Sequence, residues 1–301
     1  MIRPRPLTRT LLAFVGVGLI LPLAACTATP APQTSSPVTT APATTTTTTD
    51  TPTPTQPELN TYTPGVLTVA TGDPAYSPWV EDNDPTTGQG FESAVIYAVA
   101  QQLGYTNDQV VWVRTTFDAA IAPGPKAWDM NIQQFTITDE RKQAVDFSTP
   151  YYTTNQAIVT YSGSPADGVT TLAGLAKIKF GAQVGTTSLT ALTDIVKPTS
   201  QPKIFNSSDD VVHALVNKQV EAIVVDLPTA LYLTSAELDN GVIVGQLSSS
   251  SGGDDFGILL PKGSSLTAPV SAAIDALRAN GTLDQIQQKW LSDSISVPVL
   301  Q

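Results

Sequence analysis

The sequence predicts an α/β protein of two lobes, and three observations carry that prediction. Short β-branched runs alternate with segments of helical periodicity, which argues for a layered fold of mainly parallel strands. The part from about residue 64 onward exceeds the usual size of one compact domain and suits two of ordinary size. The part before it shows no such alternation.

Residues 66–70 read as the first strand. Phe91, Ala94, Val95, Ala98 and Val99 then fall at helical spacing, and Gly104 follows as a stop signal. Residues 110–114 and 130–132 are further strands. A second series begins at 157–160 and continues with a strand at 179–183, a helix at 189–196 and a strand at 203–205. A helix at 209–217 and a buried strand at 222–225 close it. Near the C-terminus Leu266, Val270, Ala273, Ile274 and Leu277 form one apolar stripe, ended by Asn280 and Gly281. Thr282 is placed to cap a last helix carrying Leu283, Ile286 and Trp290.

Residues 1–25 read as a secretion signal: Arg3, Arg5 and Arg9 precede an apolar run at 11–21 that is too short to span a bilayer. Leu23-Ala24-Ala25 before Cys26 suits cleavage that leaves the cysteine at the new N-terminus, and it resembles a bacterial lipobox. As the sole cysteine, Cys26 has no partner for an internal disulfide. Carrying a diacylglycerol, it would anchor an extracytoplasmic protein to the cell membrane, each buried methylene contributing about 0.8 kcal/mol. Residues 26–63 are nearly all Thr, Pro, Ala and Ser and cannot bury a core, so they are expected to form a disordered tether.

Composition excludes several functions. The chain has 15 basic and 26 acidic residues, and loss of the three signal arginines makes it more acidic still, so nucleic acid is not an expected partner. The one histidine, His213, falls on an expected solvent face opposite Val211 and Leu215. With no second histidine and no free cysteine, zinc ligation and Cys-His chemistry have no material, and no cofactor or metal is implied. Gly16 and Gly18 belong to the signal segment and form no nucleotide loop.

The segment Phe135-Thr136-Ile137-Thr138-Asp139-Glu140-Arg141, continuing through Val145-Asp146-Phe147-Ser148-Thr149-Pro150-Tyr151-Tyr152, resembles the family 3 bacterial solute-binding proteins. Further matches are Asp73-Pro74-Ala75-Tyr76-Ser77-Pro78-Trp79, Gly90-Phe91-Glu92, Gly185-Thr186-Thr187, Val225-Asp226 and Phe256-Gly257-Ile258, in the family's order. The resemblance implies a two-lobed periplasmic-binding-protein-like fold of type II, with two crossover strands as hinge. Lobe 1 would combine 64–154 with 256–295, lobe 2 would occupy 155–255, and 296–301 would be a C-terminal tail. It further implies a monomeric receptor that captures a polar amino acid between the lobes and delivers it to an ABC transporter permease, without catalysis. Hinge closure would follow from contacts that only the closed form completes.

A free amino acid offers a carboxylate, an ammonium and a side chain, so its receptor needs a planar cation, an anion and a variable pocket. Arg141 is the cation that the resemblance assigns to the carboxylate, through two parallel hydrogen bonds; read alone, it would pair with Asp139 or Glu140 on the surface. Asp226 is the acid implied for the ammonium, although an aspartate before Leu227-Pro228 is also a helix N-cap. Thr136 and Gln134 are implied to orient those groups. Gly185, Thr186 and Thr187 lead into a helix whose start favours an anion, or simply cap it. Asp73, Tyr76 and Trp79 are implied to touch the ligand's side chain. Glu92 reads as a solvated acid at a helix start, because Ala94 replaces the family's usual second acid.

Two rivals stand beside the receptor: a dehydratase of the prephenate or arogenate type, which shares the fold, and a sensor module that reports its ligand. Asp73 and the acidic stretch at 81–84 point weakly to a cationic side chain, with amides as close competitors.

Overall fold

The computed structural model describes residues 59–248, 253–291 and 297–301. The signal segment, Cys26 and most of the expected tether lie outside the described residues. The last five tether positions, 59–63, are not loose: Leu59 packs on the core, and Asp129 accepts hydrogen bonds from the backbone N–H groups of Tyr62 and Thr68.

The chain first forms β1 (Leu67–Thr71), α1 (Phe91–Gln102), β2 (Val110–Arg114), α2 (Phe117–Ile121), β3 (Met130–Asn131) and α3 (Arg141–Ala144). The long β4 (Val145–Thr154) follows, and one residue, Asn155, separates it from β5 (Gln156–Tyr161). Then come β6 (Phe180–Gln183), α4 (Thr187–Ala191), β7 (Lys203–Phe205), α5 (Ser208–Val216), β8 (Ala222–Asp226), α6 (Leu227–Tyr232) and β9 (Gly241–Leu247). β10 (Asp254–Pro261), α7 (Thr267–Ala279) and α8 (Thr282–Trp290) complete the order.

Two five-stranded sheets result, ordered β2-β1-β3-β10-β4 and β7-β6-β8-β5-β9, so each lobe of this α/β fold has its own sheet. Neither is mainly parallel. β1 runs parallel to β2 and β3, but β10 is antiparallel to β3 and β4. In the second sheet β6 is parallel to β7 and β8, while β5 is antiparallel to β8 and β9. The antiparallel pairings all involve the strands that carry the chain between lobes and back. Such a strand enters its sheet against the direction of the βαβ units beside it.

Helices on both faces explain the strand composition, since a strand buried on both sides has no polar row. Every residue of β1 is buried. One face meets α1, α7 and α8 through Leu67, Val69, Ile96, Val99, Val270, Ile274 and Leu283, and the other meets Phe135, Trp128 and Ala120 through Ala70. In the second lobe Ala222 and Val224 face one apolar cluster and Ile223 the opposite one. The start of α8 differs from expectation: Gly281, at φ 78°, holds the cap position and Thr282 makes no side-chain cap. Asn280 instead accepts from the Thr282 N–H.

At the hinge, the Asn155 carbonyl accepts from Leu227 N at 2.9 Å, and Asn155 Nδ2 donates to Gln246 Oε1 at 3.0 Å. The C-terminal residues return to the second lobe. Val299 bridges in parallel to Gln246, and Leu300 packs into that lobe's core.

Candidate functional site

A cavity of about 150 Å³ lies between the two sheets, lined from both lobes. That is about ten times the space a single water requires, so it accommodates a small organic molecule. All ten residues selected from the sequence are near it. Asp73, Tyr76, Trp79, Gln134, Arg141, Thr186, Thr187 and Asp226 line it, while Gly185 and Thr136 form its junction through the hydrogen bonds described next.

Arg141 begins α3 on a turn that Thr138 caps, Thr138 Oγ1 accepting from Arg141 N at 3.1 Å. Its side chain is buried, 8% exposed. Nη1 donates to the Thr136 carbonyl at 2.7 Å and Nη2 to the Gly185 carbonyl at 2.9 Å, across the cleft. The guanidinium also lies 5.3 Å from the centre of the Phe117 ring, which stacks on Phe135. Asp139 pairs instead with Lys142, on the surface. Among the described residues no carboxylate is in ion-pair contact with Arg141. Burial pulls the guanidinium below its usual range, and Asp254, Asp226 and Glu140 oppose that pull. A buried cation with N–H donors left over, facing a cavity, is arranged to receive an anion.

The opposite wall is built by β6 and the turn after it. Gly185 adopts φ 71°, in the left-handed region open to glycine, and this turns its carbonyl to Arg141. Thr186 is a true cap, accepting from Leu189 N at 3.2 Å. Thr187 is not: its hydroxyl meets Thr136 Oγ1 at 3.0 Å across the cleft and donates to Asp254 Oδ2 at 3.2 Å. Two more bonds join the lobes, from Trp79 Nε1 to Thr229 Oγ1 at 3.0 Å and from Asp209 N to the Tyr76 hydroxyl oxygen at 3.3 Å. The cleft is therefore closed in this structure.

Asp226 occupies the cap position of α6 but makes no side-chain cap. Its Oδ1 accepts from Gln156 Nε2 at 2.7 Å. Some of its surface faces the cavity, yet the enclosing walls strip it of bulk water. Burial, and then the nearby Asp254, raise its pKa to about 7. Such a carboxyl becomes a strong ligand for a cation that replaces its lost water.

Asp73 is exposed at the cavity rim. The acidic stretch at 81–84 does not join it, since none of those residues lines the cavity. Asp84 accepts from Thr86 N, Glu81 from Ser77 Oγ, and Asn83 from Ala75 N and Arg114. The stretch braces the loop, and only Asp73 remains of the charge expected there.

Glu92 departs most from expectation. It is 0% exposed, and its carboxylate accepts from Gln134 N at 2.7 Å, from Gln134 Nε2 and from the Tyr151 hydroxyl. Gln134 stands at φ 49°, unfavourable for a side-chain-bearing residue, and Glu92 holds it there. Burial lifts Glu92 to about 7 against the opposing effect of those donors. The folded protein thus holds more protons than the unfolded chain between about pH 4.5 and about 7, so stability declines as pH rises through that window. The melting temperature of the ligand-free protein should fall from pH 5 to 8, and fall less in Glu92→Gln. Equal slopes in both would show that Glu92 titrates normally.

The sequence did not single out Gln133, Phe117, Gln156 or Asp254. Gln133 lines the cavity with its Oε1 buried and unpaired among the described residues, an acceptor that invites a donor.

The family model described as bacterial extracellular solute-binding proteins, family 3, matches residues 67–293. The L-arginine-binding protein of Pseudomonas aeruginosa is 31% identical over 225 residues, covering 72% of this chain and 85% of that protein. An ancestral arginine-binding protein solved with arginine superposes with a TM-score of 0.63 at 31% identity, covering 76% of this chain and 99% of that one. An ancestral amino acid-binding protein described as a precursor of cyclohexadienyl dehydratase also gives 0.63, at 29% identity and 76% and 96% coverage.

Proposed function

The chain belongs to the family 3 bacterial extracellular solute-binding proteins, and we propose that it is a monomeric, extracytoplasmic receptor that captures a polar amino acid for an ABC importer. The observation that carries this reading is the buried Arg141, with no carboxylate partner among the described residues, facing a cavity whose far wall holds Asp226. A zwitterion satisfies both. Its carboxylate takes the guanidinium donors and its ammonium takes Asp226, which ties one lobe to the other. Gly185, Thr186 and Thr187 present the second lobe to the carboxylate. Tyr76, Trp79, Asp73 and Gln133 surround the side chain. Asp73 and the unpaired Gln133 Oε1 favour a donor-rich side chain, a guanidinium or ammonium. Cys26 serves as the lipid anchor and the threonine-rich segment as spacer, which holds the receptor beside the permease.

A panel of the twenty amino acids in a thermal-shift assay tests this. One or two cationic or amide amino acids should stabilise, by about 2.7 kcal/mol at a hundredfold above Kd. Preference for aspartate or glutamate would refute the charge argument, and no stabiliser at all would remove the receptor.

The enzyme reading has one observation in its favour, a carboxyl at Glu92 near pH 7 beside likeness to a dehydratase precursor. Glu92 does not line the cavity, and its oxygens are occupied by Gln134 and Tyr151. It is a brace for the binding loop. Turnover of prephenate that disappears in Glu92→Gln would reverse that assignment.

A further inference from the structure

Asp254, the first residue of β10, sits behind Asp226 and does not line the cavity. Its Oδ2 accepts from Gln156 Nε2, the same nitrogen that donates to Asp226 Oδ1 at 2.7 Å. Ser188 Oγ donates to Gln156 Oε1 at 2.6 Å, which fixes the amide so that its NH2 end faces the two acids. A neutral amide thus holds two carboxylates close together. The charged groups that act on Asp226 are Asp254 on β10 and Glu92 on α1, with Arg141 on α3 as the counter-ion; Tyr151 and Tyr152 on β4 face it as neutral phenols. Among these groups acids outnumber bases.

Resting on the reading of the cleft as an amino-acid site, we propose that Asp254 is a positioning residue for Asp226, and that Asp226 holds a proton which it releases when the ligand's ammonium arrives. The step balances: the carboxylic O–H bond of Asp226 breaks, the proton passes to water, and the carboxylate left behind binds the ammonium. A like charge held this closely disfavours ionisation of Asp226. The elevated carboxyl at Asp226 agrees, with burial its first cause and Asp254 its second. Asp254 also accepts from Thr187, whose hydroxyl meets Thr136 of the other lobe. The proton site is therefore wired into the closed cleft, and ligand capture becomes proton-linked.

Carbon-13 carboxyl NMR on the ligand-free protein tests the proton on Asp226 without any ligand, with Asp226→Asn and Glu92→Gln supplying the assignment. Besides the Glu92 signal, one carboxyl, absent in Asp226→Asn, should titrate within about a unit of pH 7 and drop by roughly a unit or more in Asp254→Asn. Titration of Asp226 below about pH 5 in the wild type, or an Asp226 titration unmoved in Asp254→Asn, overturns the proposal. Calorimetry with L-arginine at pH 7 in phosphate and in Tris then reads the release, with L-glutamine as probe if L-arginine does not bind. About half a proton should leave per ligand, and none in Asp254→Asn, whose affinity should fall about tenfold. Equal heats in both buffers for the wild type overturn the release step. If no amino acid binds while the Asp226 titration stands, the receptor reading fails and the proton on Asp226 survives it.

Discussion

Replacing Arg141 with alanine should weaken amino-acid binding by about thirtyfold to several thousandfold, corresponding to about 2 to 5 kcal/mol. The loss has two parts. The ligand's carboxylate would enter a walled cavity without its charge partner, and the closed cleft would lose the bond from Arg141 Nη2 to the Gly185 carbonyl. Arg141→Lys separates them: an ammonium restores the charge but cannot bridge Thr136, Gly185 and a carboxylate with one planar fork. Its affinity should lie between those of wild type and alanine by calorimetry. Near wild-type affinity in Arg141→Ala would remove this residue from the site.

Replacing Trp79 with alanine should cost about 3 to 5 kcal/mol of unfolding free energy. Although Trp79 lines the cavity, it is 1% exposed, and its ring contacts Phe91 and Tyr152 edge-on at 5.9 and 6.0 Å and Phe256 at 5.7 Å. It is a keystone of the first lobe's core as much as a ligand contact. Phenylalanine at this position keeps most of that packing and removes the Nε1 bond to Thr229. Trp79→Phe should therefore leave denaturant stability of the first lobe largely intact and weaken closure by about 1 kcal/mol, visible in ligand affinity. A stability loss in Trp79→Ala below about 1 kcal/mol would contradict the packing described here.

How much of this was legible follows from the range of the interactions. Strands with both faces covered, such as 222–225, announce themselves as unbroken apolar runs. β4 does not, because Pro150 interrupts a polar, aromatic stretch and argues against a strand. The structure accommodates it opposite Gly257, where the β4–β10 register shifts. Arg141 and Asp226 could be picked out because a recognisable motif surrounds each. The rest depended on pairings made by topology. Gln156 meets Asp254 across 98 residues of sequence, and Glu92 meets Gln134 and Tyr151 across 42 and 59. Nothing local marks an acid as buried, and an isolated glutamate is ordinarily a surface residue. The acidic stretch at 81–84 misled for the converse reason: local charge density says nothing about where a loop turns its carboxylates.

The central claim is that one small zwitterion is clamped end to end, its carboxylate on Arg141 and its ammonium on Asp226. A crystal structure with the strongest stabiliser from the amino-acid panel tests this most directly. The account predicts two guanidinium N–H groups of Arg141 within hydrogen-bond reach of the bound carboxylate and Asp226 against the bound ammonium. A ligand seated elsewhere, or seated here with Arg141 bonded only to the Thr136 and Gly185 carbonyls, would contradict it.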